Sequence, residues 1–183
     1  IGVLGRESVT VHIENSWASY VELPAKITLF QGLPKADKME LIIQKAVELG
    51  VYEIVPVVTK RTIVKLDAKK EAKKLARWQG ISESAAKQSG RGIIPKVAAP
   101  MSFNDALKQA GAMEAVLIPY EKAEGMDYSR NVIKGLKDKK HIGIFIGPEG
   151  GFDESEVLQA KQSGAVPITL GRRILRTETA GLA

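Results

Sequence analysis

Strands and helices alternate along most of this chain, and that alternation constrains its fold more than any other feature. AKITLF, YEIVPVVT, AVLIP, HIGIFIG and VPITLG are short apolar runs of strand length. The segments between them carry apolar residues at helical spacing. Neighbouring parallel strands need a crossover connection, commonly a helix, so the pattern predicts an α/β fold with a mostly parallel sheet covered on both faces.

The helices have readable ends. In ADKMELIIQKAVELG, Met39, Ile42, Ile43, Ala46 and Val47 fall on one face. Asp37 with Glu40 three residues on predicts a capping box, and Gly50 predicts a left-handed stop. A second helix is predicted from Asp67 to Ser89, with Leu75, Trp78, Ile81, Ala85 and Ala86 as its apolar stripe. Gly80 within it predicts a kink or close helix packing, because glycine costs about 1 kcal/mol relative to alanine there. Further helices are predicted at Phe103 to Ala110, Tyr128 to Leu136 and Asp153 to Ser163. Pro56 predicts an edge position or a strand end for YEIVPVVT. The first twenty residues alternate Val9, Val11 and Ile13 with polar neighbours, which predicts one or two short strands and a domain join near Tyr20 to Pro24.

Composition excludes several chemistries. The 183 residues contain no cysteine, which removes disulfides, thiolate metal sites and thiol catalysis. The two histidines, His12 and His141, have no metal-ligand spacing, so no metal is expected. Lysine and arginine outnumber acids by 27 to 21, a net charge of +6 that favours a polyanionic partner such as nucleic acid. No apolar run reaches membrane-spanning length and no signal-peptide pattern opens the chain, so a cytoplasmic protein without a membrane partner is expected.

Two loops carry the functional signal. IFIGPEGGF ends an apolar strand in three glycines, Pro148 and the carboxylate of Glu149, and leads into a helix opened by Asp153, with Glu156 three residues on. The strand-end position is where open α/β sheets bind ligands. The spacing fits neither a dinucleotide fingerprint nor a P-loop. A carboxylate there repels phosphate but accepts hydrogen bonds from an uncharged or cationic ligand. Further on, LGRRILRTETA places three arginines after another strand end. Taken alone, each segment is also compatible with a bland reading: a ligand-free turn in the first case, and a surface arginine cluster with Thr177 as a helix cap in the second. Together they suit a nucleoside-like cofactor held beside an anionic substrate.

FIGPEGGF followed about twenty residues later by LGRRILRTETA resembles the RsmE-type 16S rRNA uridine-N3 methyltransferases of the SPOUT superfamily. LPKADKMELIIQKAVELGV and RWQGISESAAKQSGR are similar to two further segments of that family, so the resemblance extends from about Leu33 onward. It implies a SPOUT domain over residues 23–183 with a C-terminal trefoil knot, preceded over residues 1–22 by the end of a PUA-like β-barrel that binds RNA. It also implies a last helix beyond TETAGLA, a homodimer, and 16S rRNA or the small ribosomal subunit as partner. The chain departs from the family pattern at Lys60, Ser84 and Lys87, where acids are expected.

The resemblance further implies S-adenosylmethionine as cofactor. The loops IPYE, IGPEGG and LGRRIL would hold it largely through backbone groups, with Ile118, Ile146, Leu170 and Leu175 against the adenine. Gly147, Pro148, Glu149, Gly150 and Gly151 belong to the first wall, and Gly171, Ile174 and Thr177 to the second. Arg176 is expected to stabilise the charge that develops on the uracil ring, with Glu178 as base or orienting partner. Lys35, Lys38, Lys45, Arg61, Arg77, Gln88, Arg91 and Arg172 are expected to contact RNA. The competing expectations are a SPOUT enzyme that methylates a tRNA ribose 2′-hydroxyl, an RNA-binding module without chemistry, and a nicotinamide enzyme, the last disfavoured by the missing glycine fingerprint.

Overall fold

The structure, a computed structural model, describes residues 5–16, 20–64 and 67–183. Seven strands form one sheet: β1 (Lys26–Gly32), β2 (Glu53–Val58), β3 (Lys96–Val97), β4 (Met101–Ser102), β5 (Ala115–Pro119), β6 (His141–Ile146) and β7 (Val166–Ile168). The helices are α1 (Lys38–Glu48), α2 (Ala68–Gln88), α3 (Phe103–Ala110), α4 (Met126–Lys134), α5 (Glu154–Gln162) and α6 (Thr177–Ala180). The strand order is β3-β2-β1-β6-β5-β7, with β4 also paired to β2, and every pairing is parallel.

The period of two in each strand sorts its side chains between two cores. On one face Phe30, Val55 and Phe145 pack with Phe103, Ala106 and Leu107 of α3 and with Val157 and Ala160 of α5. The register sets Phe30 opposite Phe145, and their rings stack 4.4 Å apart. On the other face Leu29, Ile54 and Ile146 meet Ile42, Ile43 and Val47 of α1 and Trp78 of α2. The apolar stripes read from the sequence are the faces that these helices bury.

Several local expectations need correction. Asp37 does not cap α1: its backbone lies at φ −94°, ψ 11°, outside the extended region a capping side chain needs, and Glu40 instead binds Arg77 at 2.7 Å. The stop at Gly50 does form, with φ +99°. Asp153 and Glu156 make the capping box at α5. Pro56 lies in no edge strand, since β2 is paired on both sides. The β3 register ends at Ile54↔Val97 and the β4 register begins at Val57↔Met101, so the proline falls in the gap between them. These two-residue strands were too short to read from periodicity. Gly80 sits in an unbroken α2, and beyond its own helix backbone nothing lies within 4 Å of where a Cβ would stand, so no close packing explains it. β7 ends at Ile168 because Thr169 leaves the ladder to bind the Ser129 hydroxyl.

Among the described N-terminal residues, Val9, Val11 and Ile13 are exposed, and the predicted strands reduce to an isolated bridge at Val9. Alternation alone makes no strand where the apolar side chains have no layer to pack against. The part of that prediction falling on residues 1–4 and 17–19 lies outside the described residues.

Candidate active site

Because every pairing is parallel, the strands end together on one edge of the sheet. The order also reverses there, since β2 flanks β1 on one side and β6 on the other, and ligand crevices form at such a point. A cavity of about 440 Å³ occupies it, within the range typical of small-molecule sites. Its walls are residues 119–121 after β5, 146–152 after β6 and 169–176 after β7, with Thr177, Glu178 and Ala180 of α6. Lys38 and Arg61 enter from α1 and from the turn after β2.

Close backbone approach holds these walls together. A Cβ on Gly32, at the end of β1, would lie 2.6 Å from both N and Cδ of Pro148, so only glycine lets the two strand ends meet. The Thr177 hydroxyl donates to the Gly147 carbonyl at 2.6 Å and fastens the start of α6 to the β6 loop. Arg61 donates to the Gly150 carbonyl at 2.8 Å.

The charges are arranged in layers. Lys38 Nζ lies 2.9 Å from Glu149 Oε1 and 3.6 Å from Glu178 Oε2, and the Lys35 backbone N–H also donates to Glu149 at 3.0 Å. Burial pushes the Glu149 carboxyl up, but the hydrogen bonds from Lys38 and the backbone amides, with the lysine charge, outweigh it and hold the group below its ordinary value. The hydrogen bond to Glu149 in turn raises the Lys38 ammonium. Glu178 Oε2 is buried without a hydrogen-bond partner. Arg172, Arg173 and Arg176 are exposed at the mouth and form no ion pair among the described residues. Carboxylates held on Lys38, apolar Ile146, Leu170 and Leu175 beside them and unpaired guanidinium groups at the mouth suit a flat, partly cationic ligand facing a polyanion.

The Glu149 pairing has a testable sign. A lowered carboxyl value contributes stability above the ordinary glutamate value, about 4.3, and loses it as the pH falls through the folded-state value. Wild type is therefore expected to melt higher than Glu149→Gln at neutral pH. Melting curves between pH 7 and pH 3 should show that difference closing on the acid side.

The expected site residues divide. Ile146 through Gly151, Leu170, Gly171, Ile174, Leu175, Arg176, Thr177 and Glu178 all line the cavity. Ile118 does not: it is wholly buried in the core shared with Phe30 and Phe145. Of the expected RNA contacts, Lys38, Arg61 and Arg172 also line the cavity. Lys45 and Gln88 line a separate groove between α1 and α2, whose Glu40 is held by Arg77. Lys35 is exposed in the bend before α1.

Arg91 is the clearest reassignment. Its side chain is 4% exposed, bound to Glu22 and to the carbonyls of Val47 and Val51, so it ties the segment before β1 to α1 rather than facing solvent. Hydrogen bonding from Arg91 holds the Glu22 carboxyl below its ordinary value. Arg91→Ala should lower stability by about 2 kcal/mol, because the Glu22 carboxylate loses its cation and the Val51 carbonyl loses the guanidinium donor, while the Val47 carbonyl keeps the Gly50 N–H. Urea unfolding measures this, and an unchanged midpoint would return Arg91 to the surface set. One residue went unread, Gln31, although an amide inside the apolar run ITLFQG is itself a signal.

The model of an RNA methyltransferase domain matches residues 21–183. Over 164 residues the chain is 40% identical to ribosomal RNA small subunit methyltransferase E of Bacillus subtilis, covering 88% of this chain and 64% of that protein. It is 43% identical to the protein of the same name from Mesomycoplasma hyopneumoniae, covering 86% and 66%. The chain thus spans just under two thirds of the length of these relatives. A crystal structure of a ribosomal RNA small subunit methyltransferase E from Neisseria gonorrhoeae, bound to S-adenosyl methionine, superposes with a TM-score of 0.75 at 39% identity, covering 88% of this chain and 64% of that one.

Proposed function

The chain belongs to the RNA methyltransferase domain family, in its RsmE-type branch of the SPOUT class, and from that premise we propose that it transfers a methyl group from S-adenosylmethionine to N3 of a uridine in 16S rRNA. The observation that carries the reading is the convergence of three strand-end loops and α6 on one cavity, with Arg176 and Glu178 on its wall.

The donor set fits the cofactor. Ile146, Leu170 and Leu175 offer an apolar surface for an adenine ring, the glycine loops offer backbone groups for its edge, and the carboxylates of Glu149 and Glu178 suit a ligand carrying positive charge. When bound, S-adenosylmethionine supplies an electrophilic methyl group on a sulfonium and leaves as the neutral thioether. The chain's own residues do the rest. Uracil N3 lies on the pairing edge and carries a proton, so the base has to be unstacked and deprotonated before it can react. The Glu178 oxygen that accepts no hydrogen bond, with Lys38 Nζ 3.6 Å away, would take that proton. Arg176, free of any carboxylate among the described residues, stabilises the negative charge left on the ring.

The family supports the wider picture. Residues 1–22 end a PUA-like barrel, residues 23–183 form a SPOUT domain with a trefoil knot, and the working unit is a cytoplasmic homodimer on the small ribosomal subunit. Among the described residues no helix is long and apolar enough to cross a membrane.

Calorimetry with S-adenosylmethionine, then nucleoside mass spectrometry of small-subunit RNA incubated with protein and cofactor, tests the reading. Saturable binding and new 3-methyluridine are expected. No cofactor binding leaves an RNA-binding module, and a ribose 2′-O-methyl mark instead identifies the other SPOUT chemistry.

A further inference from the structure

We propose that Gln31 is a positioning residue for this site: its side-chain amide sets the start of α6 against the β6 loop through a one-way hydrogen-bond relay. The inference rests on the methyltransferase reading only for what the positioning serves.

Gln31 stands in central strand β1 and is completely buried. Its Nε2 donates to the Gly32 carbonyl at 3.0 Å and to the Thr177 hydroxyl at 2.9 Å, and that hydroxyl donates to the Gly147 carbonyl at 2.6 Å. Carbonyl oxygens only accept, so the direction is forced: the threonine proton goes to Gly147, and Thr177 must accept from the amide. One side chain therefore bonds the end of β1 and the start of α6 directly, and reaches the β6 loop through the threonine hydroxyl. Gly32 abuts Pro148, Gly147 opens the glycine loop, and Thr177 lies between Arg176 and Glu178.

The arrangement is poor for stability. Gln31 Oε1 is buried without a hydrogen-bond partner, and such an acceptor destabilises the fold. A methionine of similar shape would remove that defect and keep the packing. What it could not do is donate to Thr177, so the value of the amide lies in geometry. Reacting groups held on separate loops need that kind of fixing, since small displacements cost large factors in rate.

The test compares wild type, Gln31→Met, Thr177→Val and Thr177→Ser in the whole protein. Melting temperature, backbone hydrogen exchange without ligand, and kcat and KM with small-subunit RNA are measured. Gln31→Met is expected to melt near wild type, since relief of the unpaired Oε1 offsets the two bonds Nε2 gives up, to exchange faster at residues 147–151 and 177–180, and to lose about tenfold or more in kcat. Thr177→Val should speed exchange at the same segments, whereas Thr177→Ser, which keeps the hydroxyl, should retain slow exchange. Unchanged exchange at both segments in Gln31→Met overturns the relay, as does a loss of activity matched by a fall in melting temperature. Should wild type itself be inactive on RNA, the methyl-transfer reading fails, while the exchange measurements still decide the relay.

Discussion

Replacing Arg176 with alanine is expected to lower kcat for methyl transfer by about 100-fold or more, with cofactor affinity and melting temperature near wild type. The size is that of removing one fixed donor from a site where negative charge develops, roughly 3 kcal/mol of transition-state stabilisation. The selectivity follows from position. Arg176 is exposed on the cavity wall and bonded to no carboxylate among the described residues, so its loss leaves no buried partner stranded. Single-turnover kinetics on saturating RNA separates the alternatives. A residue that only grips phosphate would raise KM and leave kcat intact, and that result would remove Arg176 from the chemistry.

Gly32→Ala should place its added methyl more tightly than any alanine at the other described glycines. The added Cβ would overlap the ring and backbone nitrogen of Pro148 by about 1 Å relative to ordinary carbon contact. Neither is the end of a flexible side chain that can swing away. The strain is expected to reach about 3 kcal/mol, the upper part of the range for overpacking, and to abolish measurable S-adenosylmethionine binding, because the glycine loop has to move off β1. Calorimetry and thermal melting of the variant check this. Tight cofactor binding by Gly32→Ala would show that the approach of β1 to the β6 loop does not shape the site. Gly32 thus joins Gln31 as a residue the loop motifs alone do not reveal.

The layers of the fold were legible because burial on both faces forces long apolar strands, and burial on one face forces a helical period. Met39, Ile42, Ile43, Ala46 and Val47 of α1 are all buried as the period requires. Elements with little period escaped: β3 and β4 are two residues each. Val9, Val11 and Ile13 carried a period without a partner layer among the described residues, and remain exposed. The glycine loop and the arginine segment were legible as strand-end loops because Gly, Pro and clustered charge mark where a chain turns and meets solvent.

The sequence by itself thus determined the longer elements, the parallel sheet and the two loops, since each depends on neighbours a few residues away. Only the tertiary structure decided which residues meet: that Arg91 is spent on Glu22, that Ile118 lies in the core behind the cavity, and that Gln31 reaches Thr177 across 146 positions. Those contacts join distant segments, and a hydrogen bond's worth depends on what else is buried around it. No local pattern encodes that.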